Sequence, residues 1–228
     1  WAVMIRKPSD LGYDDRRFVL PPLHIEQLEV DTDEVQDGFL FPVEAQTLQE
    51  RQQARRATVS DRAEKAAELV NVDNEQWLIW CDRNDESTAL KKLIPDAVEV
   101  RGSDSPEHKI NSARGFAQGD IRVLVSKPSM SGYGLNFQQC HNVAFVGLSD
   151  SYEQYYQAVR RFWRFGQKRP VTVHQIGTTS LANVAKSRAR KAEAADKMFH
   201  SMMEHMVAAQ KHRKIFTDGK KAEFPTWL

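Results

Sequence analysis

Residues 77–93 read WLIWCDRNDESTALKKL, and this stretch decides the fold class. Its first five residues, Trp77 to Cys81, form an unbroken apolar run, which is typical of a strand buried on both faces of a sheet. The residues that follow, from about Glu86 to Leu93, have the spacing of an amphipathic helix. A strand that passes directly into a helix is the unit from which parallel α/β sheets are built.

The same alternation continues to the C-terminal side. Four more short apolar runs predict four more strands, at 97–100, 121–125, 143–146 and 171–176. Ser105 and Pro106 predict a helix start, and Gly119 predicts its end, because serine and proline favour the first turn and glycine favours the last position. Ser151, which has capping-box spacing to Gln154, begins a helix that runs to about Arg164, and Ser180 begins a long one. We therefore predict a three-layer α/β domain over residues 73–180, with a mainly parallel sheet and helical flanks.

The flanking segments are predicted to differ from this domain. The first 40 or so residues look irregular, since they are rich in proline and carry an acidic stretch over 31–37. Residues 43–70 have a helical pattern, in which either Ser60 or Thr58 could cap a second helix, and Thr58 and Asp61 have capping-box spacing. We divide the chain into residues 1–72, which lead from a missing N-terminal lobe, the domain at 73–180, and a basic helical tail at 181–228.

Composition excludes several classes of protein. The 228 residues are 41% hydrophobic and 28% charged, and a mean hydropathy of −0.58 without any apolar run near 18 residues argues against a membrane span. The N-terminus shows no secretory signal, and its apolar start suggests that the chain begins inside a larger protein. Two cysteines, Cys81 and Cys140, do not make a disulfide framework, and with His141 they lack zinc-site spacing. We expect a cytoplasmic, bacterial or phage-encoded, nucleoid-associated protein with no metal site.

The formal net charge of +1 conceals an uneven distribution. Residues 1–159 hold 17 Lys and Arg against 26 Asp and Glu, a net charge of −9, whereas residues 160–228 hold 15 against 5, a net charge of +10. Such asymmetry favours an anionic partner for the C-terminal third, and a solvated basic helix is the alternative.

Two segments could bind phosphate. In the first, Gln157, Arg161 and Arg164 share one helix face at i, i+4 and i+7, while Arg160 points elsewhere. Guanidinium groups at this spacing can hold a phosphate through charge-assisted hydrogen bonds, although a solvated basic helix has the same pattern. In the second, residues 126–136, two glycines at 132 and 134 allow close backbone approach to a ligand, or simply form turns.

Both segments, in this order, resemble the C-terminal RecA-like domain (a P-loop NTPase-type fold) of superfamily 2 helicases. The similarity is greatest to Swi/Snf-type DNA translocases and their phage-borne relatives. Motif six of that branch is Gln-x-x-x-Arg-x-x-Arg-x-Gly-Gln, and all its positions are present in residues 157–167. Motif five ends Gly-x-Gly-Leu/Ile-Asn, which matches residues 132–136. Motif four resembles Trp77 to Leu93, so the resemblance covers about 77–176.

The resemblance implies a mechanism in which two lobes close over ATP and Mg²⁺. Arg161 and Arg164 match the arginine fingers that the second lobe supplies. Gln157 would orient groups near the nucleotide, Asn136 would lie near its ribose, and Gly132 and Gly134 would complete the ATP-binding set. We expect no cofactor to bind stably to this fragment alone.

Nucleic acid would lie across both lobes, and DNA is the expected partner, double-stranded for preference, with RNA left open. The candidate contacts follow the first three predicted strands: Arg83, Arg101, Gly102, Lys127 and Ser129. Such residues contact phosphate, so they give salt-dependent affinity with little sequence readout.

Two departures from the family pattern stand out. The branch usually has Ser-Thr before the motif-five glycines, whereas Lys127-Pro128 stands here, so Ser126 or Ser129 would take the threonine's role. The sequence also contains no Gly-x-x-x-x-Gly-Lys-Ser/Thr loop, and Asp33 to Gln36 is interpreted as a solvated acidic loop. We therefore expect half of a motor, inactive in ATP hydrolysis by itself.

Two other functions remain open on this sequence. One is a non-enzymatic nucleic-acid-binding module that has kept the lobe and lost the motor, as the charge asymmetry would suggest. The other is a stand-alone nucleotide-binding enzyme of flavodoxin-like topology, which predicts micromolar mononucleotide binding by the isolated chain.

Overall fold

A computed structural model describes Ser9 and residues 14–16, 19–30, 47–133, 136–147, 151–178 and 182–217. The chain divides into two compact units. One comprises Trp1–Asp15 with Ala189–Leu228, and its described part is mainly helical. The other, Arg16–Arg188, contains the sheet and all the candidate site residues.

The sheet of the second unit has six strands in the described residues, and every neighbouring pair is parallel. The strands are β1 (Leu23–Val30), β2 (Trp77–Trp80), β3 (Val98–Glu99), β4 (Val123–Ser126), β5 (Asn142–Phe145) and β6 (Val171–Thr178). They lie in the order β1-β6-β5-β2-β4-β3, so β2 is central and β1 and β3 are at the edges. The predicted mainly parallel α/β architecture is confirmed.

Six α-helices and one 3₁₀ helix accompany the strands in the described residues. The α-helices are α1 (Leu48–Ala57), α2 (Val59–Val70), α3 (Asn84–Leu93), α4 (Pro106–Gln118), α5 (Tyr152–Phe162) and α6 (Ala182–Thr217). The 3₁₀ helix, Pro128–Tyr133, follows β4 and packs against α5.

The core consists of two apolar clusters. Alternate residues of β2 face opposite ways, so Leu78 and Trp80 join one cluster, whereas Ile79 joins the other. The first cluster includes residues of α4 and α5, such as Phe116 and Phe162. The second includes residues of α2 and α3. Helices therefore cover both faces of the sheet, which produces the predicted three layers.

The helix ends follow the predicted chemistry of α4 and α5. The Ser105 hydroxyl accepts a hydrogen bond from the His108 N–H at 3.2 Å, with Pro106 in the first turn of α4. Gly119 ends that helix with a φ of 90°, a left-handed conformation that favours glycine. The Ser151 hydroxyl accepts from the Gln154 N–H at the start of α5.

The N-terminal flank differs from its prediction in two places. Residues predicted as irregular contain β1, whose apolar side chains are interrupted by polar ones because an edge strand is only partly covered. The predicted capping box of Thr58 and Asp61 is absent. The Thr58 hydroxyl instead donates to the Ala54 carbonyl at 2.7 Å, and a capping box forms one helix earlier, between Thr47 and Glu50.

A fully buried ion pair joins α2 to α3. Arg62 Nη1 lies 2.6 Å from Glu86 Oε1, and both side chains are 0% exposed. The Arg62 guanidinium also donates to the Thr58 hydroxyl and to the carbonyls of Arg55 and Val146. The other Glu86 oxygen accepts the N–H groups of Asp82 and Arg83 at 2.9 and 3.0 Å. These bonds fix the loop after β2 to the end of β5.

Gly147 is required by this arrangement. A Cβ atom there would lie 2.4 Å from Glu86 Oε2 and 2.7 Å from the Asp82 backbone nitrogen. Both contacts are far inside van der Waals distance, so the second residue after β5 must lack a side chain for the carboxylate to reach the loop.

We expect that Glu86→Ala lowers the free energy of unfolding by about 3–5 kcal/mol, because it leaves the Arg62 charge buried and unpaired. Urea denaturation of the purified chain measures this change. Glu68→Ala is the matched control, since Glu68 pairs with Lys65 on the exposed side of α2 and its loss should cost less than about 1 kcal/mol. Equal effects of the two variants would contradict the assignment of the buried pair.

Candidate nucleotide and nucleic-acid site

The carboxyl ends of the parallel strands bring the predicted nucleic-acid residues to one edge of the sheet. Arg83 follows β2, Arg101 and Gly102 follow β3, and Lys127 and Ser129 follow β4. This edge is where α/β proteins bind ligands. We call these five residues and the loops that carry them the carboxyl edge.

The two arginines of the carboxyl edge are held by carboxylates. Arg83 makes three hydrogen bonds of 2.6–3.0 Å to Asp85, and these raise the arginine pKa while lowering the aspartate pKa against the effect of its burial. Arg101 donates to Glu99 and, at 2.8 Å, to the Thr88 hydroxyl, and the bond to Glu99 raises its pKa. Both guanidinium groups are therefore oriented in advance, and an incoming phosphate meets a competing anion.

The remaining residues of the carboxyl edge surround the 3₁₀ helix. The Lys127 carbonyl accepts the Met130 N–H within that helix, and Ser129 is exposed. A Cβ atom on Gly102 would lie 3.8 Å from Met130, so Gly102 faces the same helix. Ser126, the other candidate for the missing threonine's role, is buried as the last residue of β4.

Asp82 adds a half-buried negative charge to this edge. Burial raises its pKa, while Arg55, 3.7 Å away, and Lys127 act in the opposite direction. Asp82 was not predicted as a site residue, because an acidic residue after a buried strand is ordinary.

The second group of predicted residues lies on α5 and the turn after it. Gln157 is exposed and donates to Glu153 at 3.1 Å. Arg161 and Arg164 are partly buried, and both burial and the nearby Arg164 charge lower the pKa of Arg161. Two guanidinium groups that repel each other raise the local positive potential, which favours an anion such as phosphate.

Motifs five and six meet at this point. Arg164 Nη1 donates a hydrogen bond to Asn136 Oδ1. The Phe137 N–H donates to the Arg161 carbonyl at 2.8 Å. Asn136 therefore contacts the Arg164 side chain, and the residue after it is bonded to the Arg161 backbone. Gly132 lies in the 3₁₀ helix, and Gly134 lies outside the described residues.

Gln167, the last residue of motif six, has a structural role. Its side chain is buried; Nε2 donates to the carbonyls of Cys140 and Phe162, and Oε1 accepts the N–H groups of Lys168 and Arg169. Both the nitrogen and the oxygen of the Gln167 amide group are therefore engaged in hydrogen bonds within the chain. The glutamine therefore fixes the turn after α5 rather than contacting a ligand directly.

Two residues important to the site geometry were not predicted from the sequence. Arg62 and Glu86 were not identified, because they lie on separate helices and no local sequence pattern shows that they pair. Each of the two is a charged residue at a helical position that faces the core, and the periodicity of the two helices could have revealed this.

Other chemical candidates find no support as sites. No group of three or more His, Cys, Asp or Glu side chains suited to a metal occurs in the described part of the chain. Among those same residues, no helix has the length and apolar character needed to cross a bilayer. Cys81 and Cys140 are both free and buried.

Comparison with known proteins gives a family match. Residues 61–166 match the model of the helicase conserved C-terminal domain. The matched range contains α2 to α5, the loops of the carboxyl edge, and both arginines at 161 and 164.

Two curated relatives share about a hundred residues with the chain. The bifunctional helicase and thymine dioxygenase JBP2 of Leishmania braziliensis is 31% identical over 103 residues, which are 44% of this chain and 9% of the relative. The RNA polymerase-associated protein RapA of Actinobacillus pleuropneumoniae serotype 5b (strain L20) is 27% identical over 113 residues, 46% of this chain and 12% of the relative. The matches thus span about a tenth of each relative's length.

Solved structures share the fold. A DEAD box protein from the hyperthermophile Methanococcus jannaschii has a TM-score of 0.54 at 17% identity, over 75% of this chain and 40% of its own. The C-terminal domain of the DEAD-box protein Dbp5 has a TM-score of 0.52 at 12% identity, over 75% and 84%. The C-terminal part of the Fun30 ATPase domain has a TM-score of 0.51 at 17% identity, over 56% and 45%.

We expect neither cysteine to react with a thiol reagent such as DTNB in the folded chain at pH 8. Burial raises the pKa of Cys140 to about 12 and that of Cys81 well above its usual value, so the reactive thiolate is scarce. Absorbance at 412 nm measures the thionitrobenzoate that the reaction releases. None should be released from the native protein, and two equivalents per chain should be released in urea. Rapid reaction of either native thiol would contradict this burial.

Proposed function

We propose that this chain is the second motor lobe of an ATP-dependent DNA helicase or translocase, because residues 61–166 match the model of the helicase conserved C-terminal domain. In this proposal, ATP and Mg²⁺ bind to a first RecA-like lobe, and the two lobes close over the nucleotide. The observation that carries the proposal is the meeting of motifs five and six, where Arg164 contacts Asn136 and Arg161 lies beside them.

Arg161 and Arg164 would act as arginine fingers. Phosphoryl transfer spreads negative charge over the γ-phosphate oxygens, and guanidinium groups placed there stabilise the transition state. Burial and the nearby Arg164 charge both lower the pKa of Arg161, and an anion between the two side chains would offset the repulsion. Gln157, one turn before Arg161 on the same helix face, would orient groups near the nucleotide.

The carboxyl edge would hold the nucleic-acid backbone. Exposed ion pairs contribute at most about 1 kcal/mol each, so a phosphate can replace Asp85 as the partner of Arg83 at little cost. Gly102 and Ser129 can offer backbone or hydroxyl donors, and Lys127 adds charge. Because these contacts are to phosphate, we infer salt-dependent binding with little sequence preference, to duplex DNA for preference.

A nucleic-acid-binding module without motor activity is the alternative. The net charge of +10 over residues 160–228 supports it, since a basic segment binds nucleic acid whether or not ATP is hydrolysed. The two functions differ in turnover: only a motor lobe raises DNA-stimulated ATP hydrolysis when it is joined to a first lobe.

Replacing either finger should abolish turnover. In the polypeptide that carries both lobes, Arg161→Ala or Arg164→Ala should lower DNA-stimulated kcat by about 10³-fold or more, because each removes transition-state charge stabilisation. Nucleotide affinity should change only a few-fold, since most binding contacts are on the first lobe. Steady-state ATPase assays and equilibrium nucleotide titration measure the two quantities.

Arg160→Ala is the matched control for the finger variants. Arg160 is next to Arg161 on α5, but its guanidinium carbon lies 5.7 Å from the centre of the Trp163 ring, on a different helix face. Its loss should leave kcat within a few-fold. Unchanged turnover in both finger variants would refute the finger assignment.

Nucleic-acid binding should depend on the carboxyl edge. Arg83→Ala in the isolated chain should weaken duplex binding and reduce the slope of log affinity against log salt by about one. Arg122→Ala is the control. Arg122 lies just before β4, at the amino ends of the strands, and makes a similar pair with Asp96. Fluorescence anisotropy over a salt series measures both. A loss of the same size in Arg122→Ala would mean that the carboxyl edge is not the binding surface.

A further inference from the structure

We propose that Asn136 is a positioning residue for Arg164, rather than the ribose contact that the family resemblance implies. The inference rests on the proposed function, since it concerns the same pair of arginine fingers. Its basis is the hydrogen bond from Arg164 Nη1 to Asn136 Oδ1, which links the end of motif five to motif six.

The asparagine end of this bond is fixed by its neighbour. Phe137 is buried, with its ring edge-on to Phe116 at a centroid distance of 5.3 Å. Its N–H donates to the Arg161 carbonyl, and its carbonyl accepts the Cys140 N–H at 3.0 Å. The residue just before Phe137 is thus held beside the last turn of α5, although its own side chain is exposed.

The arginine end is fixed by the turn after α5. The Arg164 carbonyl accepts the Gln167 N–H at 3.0 Å, and Gly166 has a φ of 96°, which favours glycine. The buried Gln167 side chain fastens the rest of the turn. The backbone on both sides of the Arg164–Asn136 contact is therefore fixed before any ligand arrives. The hydrogen bond between the two side chains then sets the direction of the Arg164 guanidinium group.

An amide suits this role better than a carboxylate. Arg83 and Arg122 are paired with aspartates, whose charge offsets that of the guanidinium group. Asn136 orients Arg164 through one neutral oxygen, so the arginine keeps its full charge. A guanidinium group has five N–H donors, and four of them remain for phosphate oxygens after the contact with Asn136.

The two roles for Asn136 predict different kinetics. A positioning residue acts through Arg164, and the contact of Arg164 with phosphate matters mainly in the transition state. Loss of such a positioning residue therefore lowers kcat and leaves KM for ATP unchanged. A ribose contact holds the ground state as well, so its loss raises KM. Only the ribose contact depends on the sugar hydroxyls of the nucleotide.

The test compares Asn136→Ala, Arg164→Ala and the double variant in the polypeptide that carries both lobes. We expect Asn136→Ala to lower kcat by about 10- to 100-fold, as misplacement of a catalytic group commonly does, with KM within two-fold. The loss should be equal with ATP, 2′-deoxy-ATP and 3′-deoxy-ATP. The double variant should be no slower than Arg164→Ala alone, because Asn136 acts through Arg164. Asn111→Ala, an exposed asparagine on α4, is the control and should match the unmodified protein.

The outcomes separate this inference from the proposed function. A raised KM that depends on a sugar hydroxyl, unchanged kcat in Asn136→Ala, or additive losses in the double variant would overturn the positioning role. Normal turnover in Arg161→Ala and Arg164→Ala would instead refute the finger assignment, whatever the behaviour of Asn136.

Discussion

The buried ion pair of Arg62 and Glu86 is the interaction on which the site geometry depends. A charge with no exposed surface is tolerated only when it is paired and hydrogen-bonded, and here the two side chains satisfy each other and five backbone or hydroxyl groups. The groups that they bind belong to α1, α2, the loop after β2 and the end of β5. The pair thus fixes the start of α3, and with it Arg83, relative to the centre of the sheet.

Helix α5 shows how one element can serve several purposes. One face, with Ala158, Val159 and Phe162, is buried in the core. A second carries Gln157 and Arg161. A third carries Tyr152 and Tyr156, whose rings are 6.0 Å apart, together with Arg160 and Trp163. Because the helix has 3.6 residues per turn, Gln157 and Arg161 lie on a different face from the apolar side chains and leave the core packing intact.

The fold was largely predictable from the sequence, because its central strands are apolar runs and its helix caps are chemically distinct. The β1 strand was not, since an edge strand with alternating exposed residues lacks such a run. Arg161, Arg164 and Asn136 were predictable as motif positions. Their hydrogen bonds were not, and neither was the Arg62–Glu86 pair, because contacts between residues far apart in the chain leave no local pattern. Thr58 illustrates the same limit, because its hydroxyl donates to a carbonyl of the preceding helix and does not accept a capping hydrogen bond from the helix that follows.

The Arg83–Asp85 pair has a consequence for how fast an anion at Arg83 could exchange. An arginine that already has an anionic partner changes partners when a phosphate arrives, and it changes back when the phosphate leaves. The Asp85 carboxylate that loses its partner in the first event is exposed and is solvated by water, so the exchange costs little free energy. An arginine held in this way would therefore exchange one anionic partner for another rapidly and would hold neither of them strongly.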